Sequence, residues 1–152
     1  MATNFPEIFP RKRAAFFYAV LSLWNILRII KGDAMDITEA LNRLKKEPGF
    51  QDQVGMVLIH NGVVRGHSRS SKDPVHSLKV TPDQERIEAL RQEYESRPGI
   101  FRIIVQANQG DFQPGQDLLF IIVAGDIREN VHPVLSELLN RIKSEAVHKQ
   151  ER

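Results

Sequence analysis

From residue 35 onward the chain alternates between stretches of helical apolar spacing and short runs of strand character. Asp36, with Glu39 three positions later, forms a capping-box-like start, and Ile37, Ala40, Leu41 and Leu44 follow on one face until Pro48-Gly49 ends the pattern. Residues 54–60 are strand-like. The Asn61-Gly62 pair predicts a hairpin turn into Val63-Val64-Arg65, with a bulged continuous strand as the competing reading. Residues 66–74 are polar and without period, which predicts a mobile loop able to close over a ligand. A strand is expected over 75–80. Thr81 as N-cap, Pro82 in the first turn and Gln84 as capping residue then open a helix to Arg97, stopped by Pro98-Gly99, with Ile87, Leu90 and Tyr94 inside.

The strongest strands are expected at 100–105 and 117–123, joined by residues 109–115. Residues 118–123 are apolar without interruption, so that strand should be buried on both faces and central to its sheet. Asp126 with Glu129 predicts a further capping box. Val131, Leu135, Leu138 and Ile142, widened by Val134 and Leu139, make the stripe of a long final helix that carries Lys143 and Lys149 in its last turns, with Pro133 a place for a kink. Helix, strands, helix, two strands and helix in that order predict an α+β fold, helices packed on a mixed or antiparallel sheet. No internal repeat or low-complexity tract interrupts it.

Residues 1–34 have a different character. They carry Arg11, Lys12, Arg13, Arg28 and Lys31 against Glu7 and Asp33, whereas the other 16 basic residues face 17 acidic ones. An apolar run over 14–30 after Arg11-Lys12-Arg13 has the outline of a secretory signal, but Arg28 and Lys31 separate it from small residues suited to cleavage. As a membrane span it is short of the ~20 residues required. Three readings stay open: an extension ahead of a native start at Met35, an apolar helix that touches a membrane surface or a partner, or a secretory signal. The domain organisation is therefore an extension over 1–34 and one domain over 35–152.

Composition narrows the chemistry. The chain of 152 residues has no cysteine, which excludes disulfides, zinc thiolates and thiol nucleophiles and is compatible with a reducing cytoplasm. The sequence pI of about 9.0 comes from the extension, so the domain itself lacks the basic excess of a nucleic-acid binder. Gly62 and Gly66 do not have the spacing of a phosphate loop. His60, His67 and His76 show no metal-ligand spacing and read as surface or loop histidines. Ser68, Ser70 and Ser71 are not in a nucleophile elbow.

The remaining candidates are cations: Arg65 at a strand end, Arg69 and Lys72 in the polar loop, Arg128 at a helix start, and Lys143 and Lys149 near the terminus. Each is equally readable as a solvated surface charge. Arg128 stands apart, because a cation in a first turn opposes the helix dipole unless an anion lies nearby.

Three places in residues 35–149 resemble the large, catalytic subunit of molybdopterin synthase: Gly62-Val-Val-Arg65-Gly66 before a polar loop, Ala124-Gly-Asp-Ile-Arg128 after an apolar strand, and Arg141-Ile-Lys143 followed by Lys149. The resemblance implies an α/β-hammerhead-like arrangement of sheet and helices. It further implies a cytoplasmic enzyme of molybdenum cofactor biosynthesis, without cofactor or metal, that moves sulfur from the thiocarboxylated end of a small ubiquitin-like carrier to a cyclic pyranopterin phosphate. On that likeness Lys143 and Lys149 are catalytic, and Arg65, Arg128 and Arg69 bind substrate. The expected assembly is a homodimer, or a heterotetramer with a carrier at each end.

The chain departs from the family pattern at Ile127, where histidine is usual, at Val147-His148, where the family has Ile-Trp, and in a one-residue shortening before Lys149. Residues 80–85 also replace a segment containing a tyrosine and a proline. The alternative implied by these departures is a paralogue that binds carrier or pterin without catalysing transfer.

Overall fold

A computed structural model describes residues 36–69 and 72–151. The extension over 1–34, the start at Met35 and the serines Ser70 and Ser71 lie outside the described residues. Helix α1, Ile37–Leu44, begins as its sequence predicts, with the Asp36 carboxylate accepting from the Thr38 and Glu39 amides at 2.8 and 3.1 Å. A single turn, α2 (Phe50–Gln53), follows Gly49, which has the positive φ of 85° that its lack of a side chain permits.

Strand β1 spans Met56–Val63, β2 Leu78–Pro82, β3 Ile100–Ala107, β4 Gly110–Phe112 and β5 Asp117–Gly125, with helix α3 (Gln84–Glu95) between β2 and β3. Helix α4, Arg128–Arg141, runs into a five-residue π turn, Ile142–Ala146, and the chain returns as strand β6, Val147–Glu151. Two three-stranded antiparallel sheets result, ordered β1-β5-β3 and β4-β2-β6. The α+β class is as expected, and β5 is the central strand of its sheet.

Alternation along β5 divides the core. Ile121 and Val123 face a large cluster with Leu90 and Tyr94 of α3, Ile103 of β3 and Val131 and Leu138 of α4. Ile122 and Ala124 face a smaller cluster with Leu44 of α1, packed over by Phe50 and Phe101. An uninterrupted apolar run is what a strand covered on both sides requires. Glu95 ties α3 to β3, accepting from the Ile103 amide and from Arg91, both at 2.7 Å, and from Arg102 at 3.1 Å.

Five local expectations are corrected. Asn61-Gly62 makes no hairpin; β1 runs through it, opposite Phe120 and Leu119, with a register shift between Gly62 and Val63. Pairing along β5 overrides the local turn preference, and the bulged continuous strand holds. The strand expected at 75–80 starts at Leu78 and includes Thr81 and Pro82, which pair with His148 and Val147 of β6. A residue before proline avoids the helical region, so Thr81 stays extended and Asp83 becomes the N-cap of α3, accepting from the Arg86 amide at 2.9 Å.

At α4 the N-cap is Ile127, without a side-chain cap. Asp126 instead accepts from the Ile127 amide at 2.6 Å and the Asn130 side chain at 3.0 Å. The largest departure is at the C-terminus, where Lys149 lies on an edge strand rather than in the last turn of a helix.

Gly125 packs where strand meets helix: a Cβ there would meet the Gly99 carbonyl oxygen and lie 2.6 Å from Val131 Cγ2. Neither neighbour is the free end of a flexible chain. Gly125→Ala should therefore destabilise the fold by about 1–3 kcal/mol, measured by urea denaturation.

Candidate functional site

Two distant parts of the chain meet in an open cavity of about 380 Å³. One wall comes from β1 and the segment beyond it. His60 and Gly62 lie two residues apart on one face of the strand, opposite Ile121 and Leu119 of β5, and so on the face that bears the larger core cluster. The next segment is held by buried Val64, whose amide donates to the Gln116 carbonyl and whose carbonyl accepts from the Gly115 amide, both at 2.9 Å. Arg65 therefore leaves the sheet at a fixed point. The polar loop that follows is pinned by Val75 N–H to Gly66 O at 3.0 Å and Ser68 N–H to Asp73 O at 2.9 Å, and it contributes Arg69.

The opposite wall is the C-terminal segment. Ile142 and Ala146 are fully buried and anchor the π turn, and Glu145 accepts from Arg141 at 2.7 Å and from Arg86 at 3.0 Å, leaving Lys143 to reach the cavity. Lys149 arrives from β6, where it stands opposite Val80. Had the helix continued, as the sequence predicts, six residues would place the two lysines about 120° apart around the axis and about 9 Å along it. The change from helix through π turn to strand lets both reach one cavity. Such turns widen the helix by an i→i+5 bond and occur often at functional sites.

The cavity thus gathers Arg65, Arg69, Lys143 and Lys149. Arg128 is not among its lining residues: it is exposed at the start of α4 beside Glu129, at 3.4 Å. Elsewhere arginines are neutralised, with Arg91 on Glu88 and Glu95, Arg97 on Glu137, and Arg102 on Glu47 and Glu95. Among the described residues no ion pair involves Arg65, Arg69, Lys143 or Lys149. Unneutralised cations converging on a concavity suit an anionic ligand, since guanidinium groups fork onto phosphate or carboxylate while an ammonium acts as a point charge.

Burial and the neighbouring cations shift two side chains of the cavity, Lys149 and His60. Partial burial, then Lys143 and then Arg65 lower the Lys149 ammonium below its ordinary 10.5, with Glu151 opposing. His60 is held below its ordinary 6.5 by burial first, then by Lys143 and Lys149, so at neutral pH it is uncharged. Its Nε2 is buried and has no hydrogen-bond partner among the described residues. The sequence presents His60 as a surface or loop histidine; the only trace of its position is the alternation with Gly62 on a strand. Among the described residues no group of three or more His, Asp or Glu side chains is arranged to hold a metal ion, and no helix is long and apolar enough to cross a membrane.

Proteins similar to this chain in sequence or fold point one way. The chain is 24% identical over 109 residues to a Haloferax volcanii protein described as "Probable molybdopterin synthase", a match covering 69% of this chain but only 41% of that longer relative. The molybdopterin biosynthesis MoaE protein of Burkholderia ambifaria superposes with a TM-score of 0.63 at 18% identity, covering 79% of this chain and 82% of that one. A Helicobacter pylori complex of subunits 1 and 2 of molybdopterin-converting factor superposes with a TM-score of 0.59 at 19% identity, covering 78% and 79%. These likenesses establish the fold. The family model described as MoaE protein matches residues 30–145, most of the chain, and the protein belongs to that family.

Proposed function

We propose that this chain is a catalytic large subunit of molybdopterin synthase, transferring sulfur from the thiocarboxylate of a small carrier protein to a cyclic pyranopterin phosphate in the cytoplasm. The observation that carries the reading is the convergence on one cavity of Arg65, Arg69, Lys143 and Lys149, which make no ion pair among the described residues. Both reactants are anions, one a phosphate and the other a thiocarboxylate, and the cavity offers cations from two directions. Arg65 and Arg69 are suited to the phosphate. Lys143 and Lys149 are suited to the thiocarboxylate and to proton exchange, a contribution worth typically 10²–10⁴-fold. Burial and the nearby cations make the Lys149 ammonium a stronger acid than an ordinary lysine.

The assembly proposed is a homodimer with a carrier docked at each end; the Helicobacter pylori complex of subunits 1 and 2 supports the pairing with a second subunit. Two lysines that meet despite their altered spacing serve proton exchange as well as anion binding, and on that ground the catalytic reading is preferred to a binding-only paralogue.

The direct test is mass spectrometry of the pterin after incubation with a thiocarboxylated carrier and the cyclic pyranopterin phosphate. A dithiolene product supports synthase activity; clean binding of both reactants without product supports the paralogue. Inorganic phosphate should compete with the pterin for wild-type protein, and Arg65→Ala should weaken pterin binding roughly 10-fold or more, as expected on losing a charge-assisted hydrogen bond of about 1.5–3 kcal/mol. Isothermal titration reads both. Arg128→Ala is the informative comparison, because an equal loss there would return Arg128 to the site through a second copy of the chain.

A further inference from the structure

We propose that His60 is a catalytic residue of this cavity: the neutral base that takes a proton from the water that releases the carrier once its sulfur is bound to the pterin. The inference rests on the sulfur-transfer reading and adds a residue to it. A thiocarboxylate that gives up sulfur and becomes a carboxylate must gain an oxygen atom. In the proposed step a water oxygen bonds to the acyl carbon of the carrier–pterin thioester, and its proton passes to the imidazole. The carbon–sulfur bond breaks with its electron pair on sulfur, leaving a pterin thiolate and the carrier carboxylic acid. Imidazolium then returns its proton to solvent.

Geometry singles out His60 for this step. Its ring lines the same cavity as the four cations. Nε2 is buried without a hydrogen-bond partner, an arrangement that is uncommon in folded proteins and points to a missing donor or acceptor. Gly62 is the neighbour on that side: a Cβ there would be in ordinary contact with Nε2 at 3.4 Å.

The surrounding charges favour the same role. Facing His60 are Lys143 from the π turn, Lys149 from β6, and Arg65 and Arg69 from the segment after β1, with Glu151 near Lys149 and Asp117 engaged with Asn61 at 2.9 Å. Guanidinium and ammonium groups have no lone pair to accept a proton. The two lysines help keep the imidazole uncharged at neutral pH, so it carries one.

The test is single-turnover sulfur transfer by the full chain, with intact-mass detection of the carrier, for wild type, His60→Phe and His60→Gln. Phenylalanine fills the site without an acceptor; glutamine keeps a hydrogen-bonding group that does not titrate. Both variants should release product at least about 100-fold more slowly and accumulate the carrier joined to pterin through sulfur. The wild-type rate should fall as pH drops below the ordinary histidine range, and neither variant should show that limb.

Wild-type turnover in either variant, slow turnover without the adduct, or an unchanged acid limb overturns the role of His60. Should His60→Phe fail to fold, His60→Gln decides by the same readouts. A wild-type protein that forms no product overturns the synthase reading and this inference together, whereas active wild type with unaffected variants overturns only the inference.

Discussion

Lys143→Ala is expected to lower sulfur transfer by about 10²–10⁴-fold, the range for loss of a positioned acid–base group, while the protein stays folded. Lys143 is exposed on the π turn and has no ion pair among the described residues, so its removal should change stability by less than ~1 kcal/mol. Lys143→Arg should not restore activity if the residue moves protons, because a guanidinium holds an anion but does not readily release a proton. A second readout comes from its neighbours. Lys143 lowers both His60 and Lys149, so the alanine variant should move both back toward their ordinary values, and histidine proton shifts followed by NMR should titrate at higher pH. An active alanine variant would remove Lys143 from the mechanism, and normal turnover by the arginine variant would limit it to electrostatics.

Leu138→Ala should have the largest effect on stability, lowering the unfolding free energy by roughly 2–5 kcal/mol. Leu138 is wholly buried on α4 within the larger cluster, and the same helix leads directly into the turn that bears Lys143. Urea denaturation measures the change. A loss below ~1 kcal/mol would mean that the surrounding side chains collapse into the vacated volume, and that the cluster is less rigidly packed than its burial suggests.

The sequence made parts of this molecule readable where one local signal dominated. Residues 118–123 announce a strand covered on both faces, and Ile87, Leu90 and Tyr94 mark the inner face of α3 at the correct spacing. The C-terminal segment was harder. Val147 is half-buried but the next four residues of β6 are exposed, so an edge strand showed no alternating pattern and continued helix was the natural expectation. Strand β4, at three residues, is too short to leave a periodic trace. Asn61-Gly62 carried a genuine turn preference that only pairing with β5, more than fifty positions away, could overrule.

The site divides in the same way. Arg65, Arg69, Lys143 and Lys149 were recognisable from family likeness, yet their convergence depends on contacts between β1, the π turn and β6 that no local window contains. His60 was not distinguishable from an ordinary surface histidine. Its significance comes from Gly62 beside it and from two lysines more than eighty residues further along the chain.

The contrast between paired arginines on the body and unpaired cations in the cavity has a kinetic consequence. Residues 35–152 hold nearly equal numbers of acidic and basic groups, and local pairing makes much of their surface a weak source of field. Four cations without an ion pair among the described residues gather at the cavity mouth, where a low-dielectric wall focuses their attraction for anions. A carrier with an anionic tail would be guided by that mouth only over the last Debye length, about 8 Å at physiological ionic strength. Encounter rates should then fall steeply as salt is added, while the lifetime of the docked complex, governed by contacts already formed, changes far less.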